Sequence, residues 1–178
     1  MLNCKSKILL LCTCFFLLFT GTVWSAPAKN LETGELNLDL MIHDSTDAYN
    51  GNFSYKMTHT LVVGMDRNKW KNGYSTNESY AEFSLENSPA FRCIVGSINI
   101  DSIDKTFFGG AIGDNIGSDW DYYVSYIKAS SNISETQAGL HYVLTDDTKL
   151  NLNYRVLDYN DTKYKGFYWG VTFHFKTE

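Results

Sequence analysis

Large apolar residues alternate with small or polar residues along most of the chain after residue 33. In the last segment, "GFYWGVTFHFKTE", the odd-numbered positions are large and apolar: Phe167, Trp169, Val171, Phe173 and Phe175. Side chains on a β-strand point alternately to opposite faces of the sheet. The segment is therefore predicted to be a strand with one aromatic face and one mostly polar face.

The same period of two recurs upstream, in "ELNLDLMIH" (35–43), "WDYYVSYI" (120–127), "SETQAGLHYVL" (134–144) and "KLNLNYRVL" (149–157). Turn-forming residues separate these runs, and no segment has a helical period. The runs number about nine, and the long run 53–66 can be split at 58–60 into a hairpin. We therefore expect about ten strands, with eight as the alternative, since a single-chain bacterial barrel has an even strand number.

The connections between the predicted strands differ in length. Those around 58–60, 87–89 and 145–148 are predicted to be tight turns, and those around 44–49, 71–77, 129–134 and 159–165 to be longer loops rich in Asn, Asp, Ser and Lys. Short turns on one side and longer loops on the other are typical of outer-membrane barrels.

Alternation alone does not say whether the apolar face meets a protein core or lipid. The polar faces are rich in Asn, Ser, Thr, Gly and Tyr, whereas a soluble sheet usually carries more Lys and Glu. Aromatic residues also lie near the predicted strand ends, namely Tyr49, Trp70, Trp120, Tyr159 and Tyr164, as in the aromatic belts of membrane proteins. The pattern favours one all-β domain, residues 34–178, forming a closed antiparallel transmembrane β-barrel. Residues Phe167, Trp169, Val171, Phe173 and Phe175 would then face lipid.

The N-terminus has the features of a secretory signal peptide, residues 1–25. Lys5 and Lys7 precede an apolar run, and small residues in "VWSAPA" allow cleavage after Ser25 or Ala28. Residues 26–33 are predicted to be a polar linker. Three of the four cysteines lie in the signal, so Cys93 is alone and is expected to be a small buried residue. A net charge of −5 without a basic run argues against nucleic acid as a partner.

The succession "ETQAGLHYVL", "LNLNYRVLDY" and "YWGVTFHF", with the earlier "KW" and "YAEFSLEN", resembles the YfaZ-type outer-membrane proteins. The resemblance covers most of the mature chain and lies in pattern and spacing. It implies a small barrel in the outer membrane of a Gram-negative bacterium, and it supplies no activity and no site residues.

Several charged residues are predicted to point into the barrel. The candidate polar network consists of Glu82, Asp121, His141, Arg155 and His174, with Arg155 expected beside His141. Mixed charges in a narrow lumen can pair across it and close it. For the strand at 90–100 both faces are apolar, so the direction of Arg92 stays open. No spacing of His, Cys, Asp and Glu points to catalytic, cofactor-binding or metal-ligating residues.

These observations predict a non-enzymatic membrane protein with a structural or surface-interaction role through its polar loops. A narrow passive pore for small solutes is the first alternative, and a soluble lipocalin-like periplasmic carrier is the second. The expected partners are membrane lipids and the outer-membrane assembly machinery, and the expected state is a monomer without a cofactor.

Overall fold

The computed structural model describes residues 31–43, 47–71, 73–85, 88–130 and 132–176. The predicted signal peptide and residues 26–30 of the predicted linker lie outside these ranges. The described residues form ten strands: β1 (Glu35–His43), β2 (Tyr49–Lys56), β3 (Leu61–Lys69), β4 (Ser75–Leu85), β5 (Ser88–Ile100), β6 (Ile103–Ile116), β7 (Trp120–Ser130), β8 (Ile133–Thr145), β9 (Thr148–Tyr159) and β10 (Thr162–Lys176). Among these residues, no helix has the length and apolarity needed to cross a membrane.

Every strand pairs antiparallel with its neighbour in the chain, and β1 pairs with β10 to close the barrel. In the closing pair Glu35 lies opposite Lys176, and His43 lies opposite Tyr168. The predicted closed antiparallel barrel with ten strands, including the hairpin split near 58–60, is therefore confirmed. We call the end that carries Glu35 and Lys176 the proximal end, and the opposite end the distal end.

Two of the four predicted longer loops, 44–49 and 71–77, are confirmed as the longer connections, and the other two, 129–134 and 159–165, are wrong. At the distal end, β5–β6, β7–β8 and β9–β10 are each joined by two residues, 101–102, 131–132 and 160–161, and only the connections 44–48 and 70–74 are longer. Asp101, Ser102, Asn160 and Asp161 all have positive φ. Two such residues in succession match the right-handed twist of the strands, and Asn and Asp tolerate this conformation. The polar residues near 129–134 and 159–165 therefore serve tight turns and strand ends.

The outer surface of the barrel is apolar. Its exposed large side chains include Leu40, Ile42, Met65, Phe83, Phe91, Phe108, Ile112, Val124, Leu140, Tyr154, Phe167 and Trp169. Val171, Phe173 and Phe175 follow on the same face of β10 and are half-buried. Cys93 is also exposed on this surface, so the expectation that it would be buried is wrong.

The structure of β5 explains why its sequence did not show which face of the strand points inward. Arg92 points into the barrel, as do Ile94, Ile98 and Ile100, all of which are buried. Phe91 and Cys93 point outward. Because Ile94, Ile98 and Ile100 face an apolar core inside the barrel, both faces of this strand are apolar. Its alternation therefore does not show which face points inward.

The distal half of the interior contains an apolar core, which the sequence did not predict, beside buried polar residues such as Asn68 and Glu78. Its buried members are Trp70, Tyr80, Ile94, Ile98, Ile100, Phe107, Ala111, Ile127, Ile133, Leu157 and Tyr159, with Tyr74, Ala129 and Tyr164 packed against them. Of the five aromatic residues expected at a lipid interface, Trp70 and Tyr159 are buried and Tyr164 packs on this core, so the interpretation is wrong for these three. Only Tyr49 and Trp120 are exposed.

Glycines make room for aromatic rings inside this narrow barrel. The Tyr123 ring lies over Gly139, its cross-strand partner, and the Tyr80 ring lies over Gly64 in the same way. A Cβ at Gly139 would lie 2.3 Å from the Tyr123 ring, and one at Gly64 would lie 2.3 Å from the Tyr80 hydroxyl. Since Tyr123 is 1% exposed, the ring has no free space to move into.

Candidate functional site in the barrel interior

A buried ion cluster crosses the middle of the lumen. Arg155 on β9 places Nη1 3.0 Å from both carboxylate oxygens of Asp66 on β3, and its Nε donates to Glu135 Oε1 at 2.9 Å. Asn50 Nδ2 also donates to Asp66 at 2.8 Å. The guanidinium therefore holds one carboxylate from the far wall and one from the neighbouring strand.

The path from β9 to β3 along the sheet runs through β10, β1 and β2, which is four steps in a barrel of ten strands. The two residues thus come from nearly opposite walls. Arg155, Asp66 and Glu135 are all buried, with exposures of 0%, 1% and 4%. Hydrogen bonds between a guanidinium and a carboxylate are stronger than those between neutral groups. The carboxylates of Asp66 on β3 and Glu135 on β8 compensate the buried positive charge of Arg155.

The two predicted inward histidines each contact a carboxylate near the proximal end. His141 Nδ1 contacts one carboxylate oxygen of Asp121, its cross-strand partner, and Lys149 Nζ donates to the other Asp121 oxygen at 2.8 Å. His174 Nδ1 lies 3.2 Å from Glu35 Oε1. The expectation that Arg155 would be beside His141 is wrong, because the β8–β9 register places Gln137 opposite Arg155.

The remaining predicted network residue, Glu82, also lies inside, with Arg92 Nη1 3.7 Å from its carboxylate. All five predicted residues are buried, but they belong to four separate groups rather than one network: Arg155 with Asp66 and Glu135, Asp121 with His141 and Lys149, Glu82 with Arg92, and His174 with Glu35. Sequence reasoning did not single out Glu135 as the partner of Arg155, although its place on the inward face of β8 follows from alternation.

The interior has the contents of a packed polar core. Thr172 donates to Asp39 and accepts from Asn151 Nδ2 at 3.3 Å, which links three strands by side chains alone. Within the described ranges, no group of three or more His, Cys, Asp or Glu side chains is arranged to hold a metal ion. Exposures of 1% for His141 and 6% for His174 leave little surface for a substrate to contact.

No protein-family model matches the chain, and no curated protein matches it. Solved barrels resemble it at low identity. The NanC porin has a TM-score of 0.47 at 14% identity, covering 78% of this chain and 98% of the porin chain. The N-terminal β-barrel domain of OprF from Pseudomonas aeruginosa has a TM-score of 0.43 at 14% identity, covering 80% of this chain and 98% of that domain. The KdgM porin in complex with oligogalacturonate has a TM-score of 0.45 at 11% identity, covering 79% and 99%.

The polarity of the barrel defines the class of protein. A soluble carrier would keep an apolar cavity and a polar exterior, whereas this barrel has exposed aromatic side chains outside and buried ion pairs inside. The chain is thus an all-β protein with a closed ten-stranded antiparallel transmembrane barrel.

Proposed function

We propose that this protein is a small integral barrel of the outer membrane with a closed lumen and a non-enzymatic, structural role. The observation that carries the proposal is the contact of Arg155 with Asp66 across the barrel. A solute passing through would have to displace a buried guanidinium from two carboxylates, which leaves uncompensated charges in a medium of low dielectric constant.

The distal apolar core supports the same proposal. The ring centroid of Trp70 lies 6.4 Å from that of Tyr164 and 6.3 Å from that of Tyr168. The ring centroid of Tyr74 lies 4.9 Å from that of Tyr164. Aromatic rings at these separations are in direct packing contact. A lumen that is blocked by charges at its centre and by aromatic side chains at one end suits a membrane-spanning support better than a pore.

The short distal turns make a surface-binding role through long loops less favourable. Three of the five distal connections have two residues, and the other two, 44–48 and 70–74, have five residues each. A structural role is accordingly our first choice. The YfaZ-type resemblance and the Gram-negative origin remain proposals that the barrel's size and pattern support.

Cell fractionation tests the membrane location, and liposome swelling tests the closed lumen. The protein should stay with the outer membrane after a urea wash and dissolve only in detergent. Liposomes that contain the folded protein should swell in arabinose no faster than empty liposomes. Release by osmotic shock would contradict the location, and fast swelling would favour the alternative of a narrow pore.

A further inference from the structure

The basic residues that point outward from the barrel lie together at its distal end. In the described strands these residues are Arg67 and Lys69 near the end of β3, Lys128 near the end of β7, and Lys163 and Lys165 near the start of β10. The other basic residues of these strands, Lys56, Arg92, Lys105, Lys149, Arg155 and Lys176, share the alternation of inward-facing positions. The outward-facing basic residues of the described strands are therefore confined to one rim.

Strand register joins three of these lysines into one patch. Lys163 on β10 pairs with Asp158 on β9, Asp158 pairs with Ser134 on β8, and Ser134 pairs with Lys128 on β7. One step further from the rim, Lys165 begins a parallel row through Val156, Thr136 and Tyr126. We call Lys128, Lys163 and Lys165 the basic patch.

The basic patch has a net positive charge. Its three lysines are exposed, and one carboxylate lies in the same two rows, so these rows have a formal charge of +2, while the exposed Asp161 lies in the adjoining turn. That carboxylate, Asp158, lies 3.8 Å from Lys163 Nζ, and the Lys163 side chain is 62% exposed. Hydroxyl groups of Ser134 and Thr136 lie on the same outward face. The patch thus combines cations with neutral hydrogen-bond donors, which suits an anion with several oxygens.

The surface changes from polar to apolar directly below the patch. The next row towards the proximal end is Phe167, Tyr154, Ala138 and Val124, and the row after it is Trp169, Leu152, Leu140 and Tyr122. Successive rows are about 7 Å apart along the strands, since each step spans two residues. The lysines consequently lie where the headgroups of a bilayer would begin, directly above side chains that would contact acyl chains.

The two rims differ in their outward-facing basic residues rather than in their acidic ones. Exposed acidic residues lie at both rims: Asp114, Asp119, Asp146 and Asp147 at the proximal end, and Asp47, Asp101, Asp104 and Asp161 at the distal end. In a barrel with an even number of strands both termini are on one side, and a secreted chain inserts from the periplasm, so the proximal end faces the periplasm. The basic patch then lies in the outer leaflet.

We propose that the basic patch binds the phosphate groups of anionic glycolipid headgroups in the outer leaflet. This inference rests on the proposed outer-membrane location. The acyl chains of the same lipid would lie against the apolar rows of β7 to β10. Basic residues near a membrane surface attract anionic headgroups, and the juxtaposition of charge and apolar surface favours a lipid over free phosphate.

Native mass spectrometry of the folded full chain in a neutral detergent tests this inference. The probes are lipid A with both phosphates, lipid A with both phosphates removed, and inorganic phosphate as a competitor. We expect preferential retention of phosphorylated lipid A, little competition by inorganic phosphate, and a loss of about fivefold in affinity for each lysine removed. The test variant is Lys128→Gln with Lys165→Gln.

The matched control is Lys105→Gln with Lys176→Gln, which removes the same charge from inward-facing positions at the two rims. The control should retain lipid A as the wild type does. Equal retention of the two forms of lipid A would overturn the inference, and so would equal losses of lipid A affinity in the two variants. Full competition by inorganic phosphate would show that the patch is a simple anion site, which would also overturn the inference. Heat-dependent migration in gels shows that each variant is a folded barrel. A wild-type chain that is folded but found outside the outer membrane would contradict the proposed function instead.

Discussion

The guanidinium of Arg155 and the carboxylate of Asp66 meet inside the barrel although 89 positions separate them in the chain, with Nη1 3.0 Å from both oxygens. They belong to strands β9 and β3, which are four neighbours apart around the sheet. This contact therefore stabilises the closed barrel as a whole rather than one hairpin. It also places a charged group in the path that a pore would need.

Removal of this cation should destabilise the barrel strongly. In Arg155→Ala the carboxylates of Asp66 and Glu135 lose their shared partner while they stay buried, and we expect a loss of about 3–5 kcal/mol in the free energy of unfolding. Urea unfolding in lipid vesicles, followed by tryptophan fluorescence, measures the change. The matched variant Lys163→Ala breaks an exposed pair with Asp158 and should lose at most about 1 kcal/mol.

A double substitution distinguishes a lost ion pair from a lost side-chain volume. Arg155→Gln with Asp66→Asn removes both charges, so its loss of stability should be smaller than the sum of the two single losses. Additive losses would show that the two residues do not interact. Equal stability of Arg155→Ala and Lys163→Ala would contradict the central ion cluster.

The packing of Tyr123 on Gly139 predicts a sharp difference between two glycines. Gly139→Ala would place a Cβ 2.3 Å from a buried ring, and overpacking of this kind typically destabilises by about 1–3 kcal/mol. Gly110→Ala is the control, since its Cβ would meet no atom closer than 3.4 Å. Thermal unfolding of both variants should show a loss only at Gly139, and Tyr123→Leu should partly restore it. A loss at both glycines would point to strand propensity as the cause instead.

The position of the bilayer on the outer surface can be tested by depth. Leu140 and Tyr126 are exposed on β8 and β7, but Leu140 lies two rows further from the distal rim. Leu140→Arg should destabilise the barrel in lipid vesicles by about 2–4 kcal/mol, and Tyr126→Arg by about 0–1 kcal/mol. Unfolding in vesicles measures both. Equal effects at the two depths would argue against a bilayer at this level.

The two buried histidines should be dispensable for any chemistry on lipids. His141 and His174 each contact a carboxylate, which is one part of an acid–base arrangement, but both are buried in a filled interior. We expect His141→Ala and His174→Ala to lose about 1–3 kcal/mol of stability, from polar partners that stay buried, and to leave lipid profiles unchanged. Mass spectrometry of lipid A and phospholipids from expressing cells is the measurement. A change of profile that needs either histidine would identify an enzyme.

The alternation of apolar and polar residues was sufficient to predict the barrel. It was also sufficient to predict which face of a strand points outward, where the inward face is polar. In β10, Phe167 and Trp169 are exposed while Tyr168 and Thr172 are buried. The same reasoning failed in β5, where Ile94 and Ile98 face an apolar core inside the barrel. The argument from aromatic belts misplaced Trp70, because a residue at a strand end can pack on the inner or the outer surface and its position in the sequence does not distinguish the two.

The partners of the interior charges could not be predicted because they depend on register and closure. The turn at 146–147 and the bulge between Val143 and Thr145 together fix the β8–β9 register, so that His141 lies opposite Asn151 and Arg155 opposite Gln137. The contact with Asp66 forms only when the sheet closes through β1 and β10, and no local pattern in the sequence reports on that closure.

Single-channel recording in planar bilayers tests the closed lumen most directly. The folded full chain is inserted from vesicles, with a conducting porin in the same bilayers as a control for insertion and detection. Because Arg155 crosses the lumen to Asp66 and aromatic side chains fill the distal end, we expect no steady ionic current from the wild-type protein. A large and stable single-channel current would contradict a closed lumen and would identify the protein as a pore.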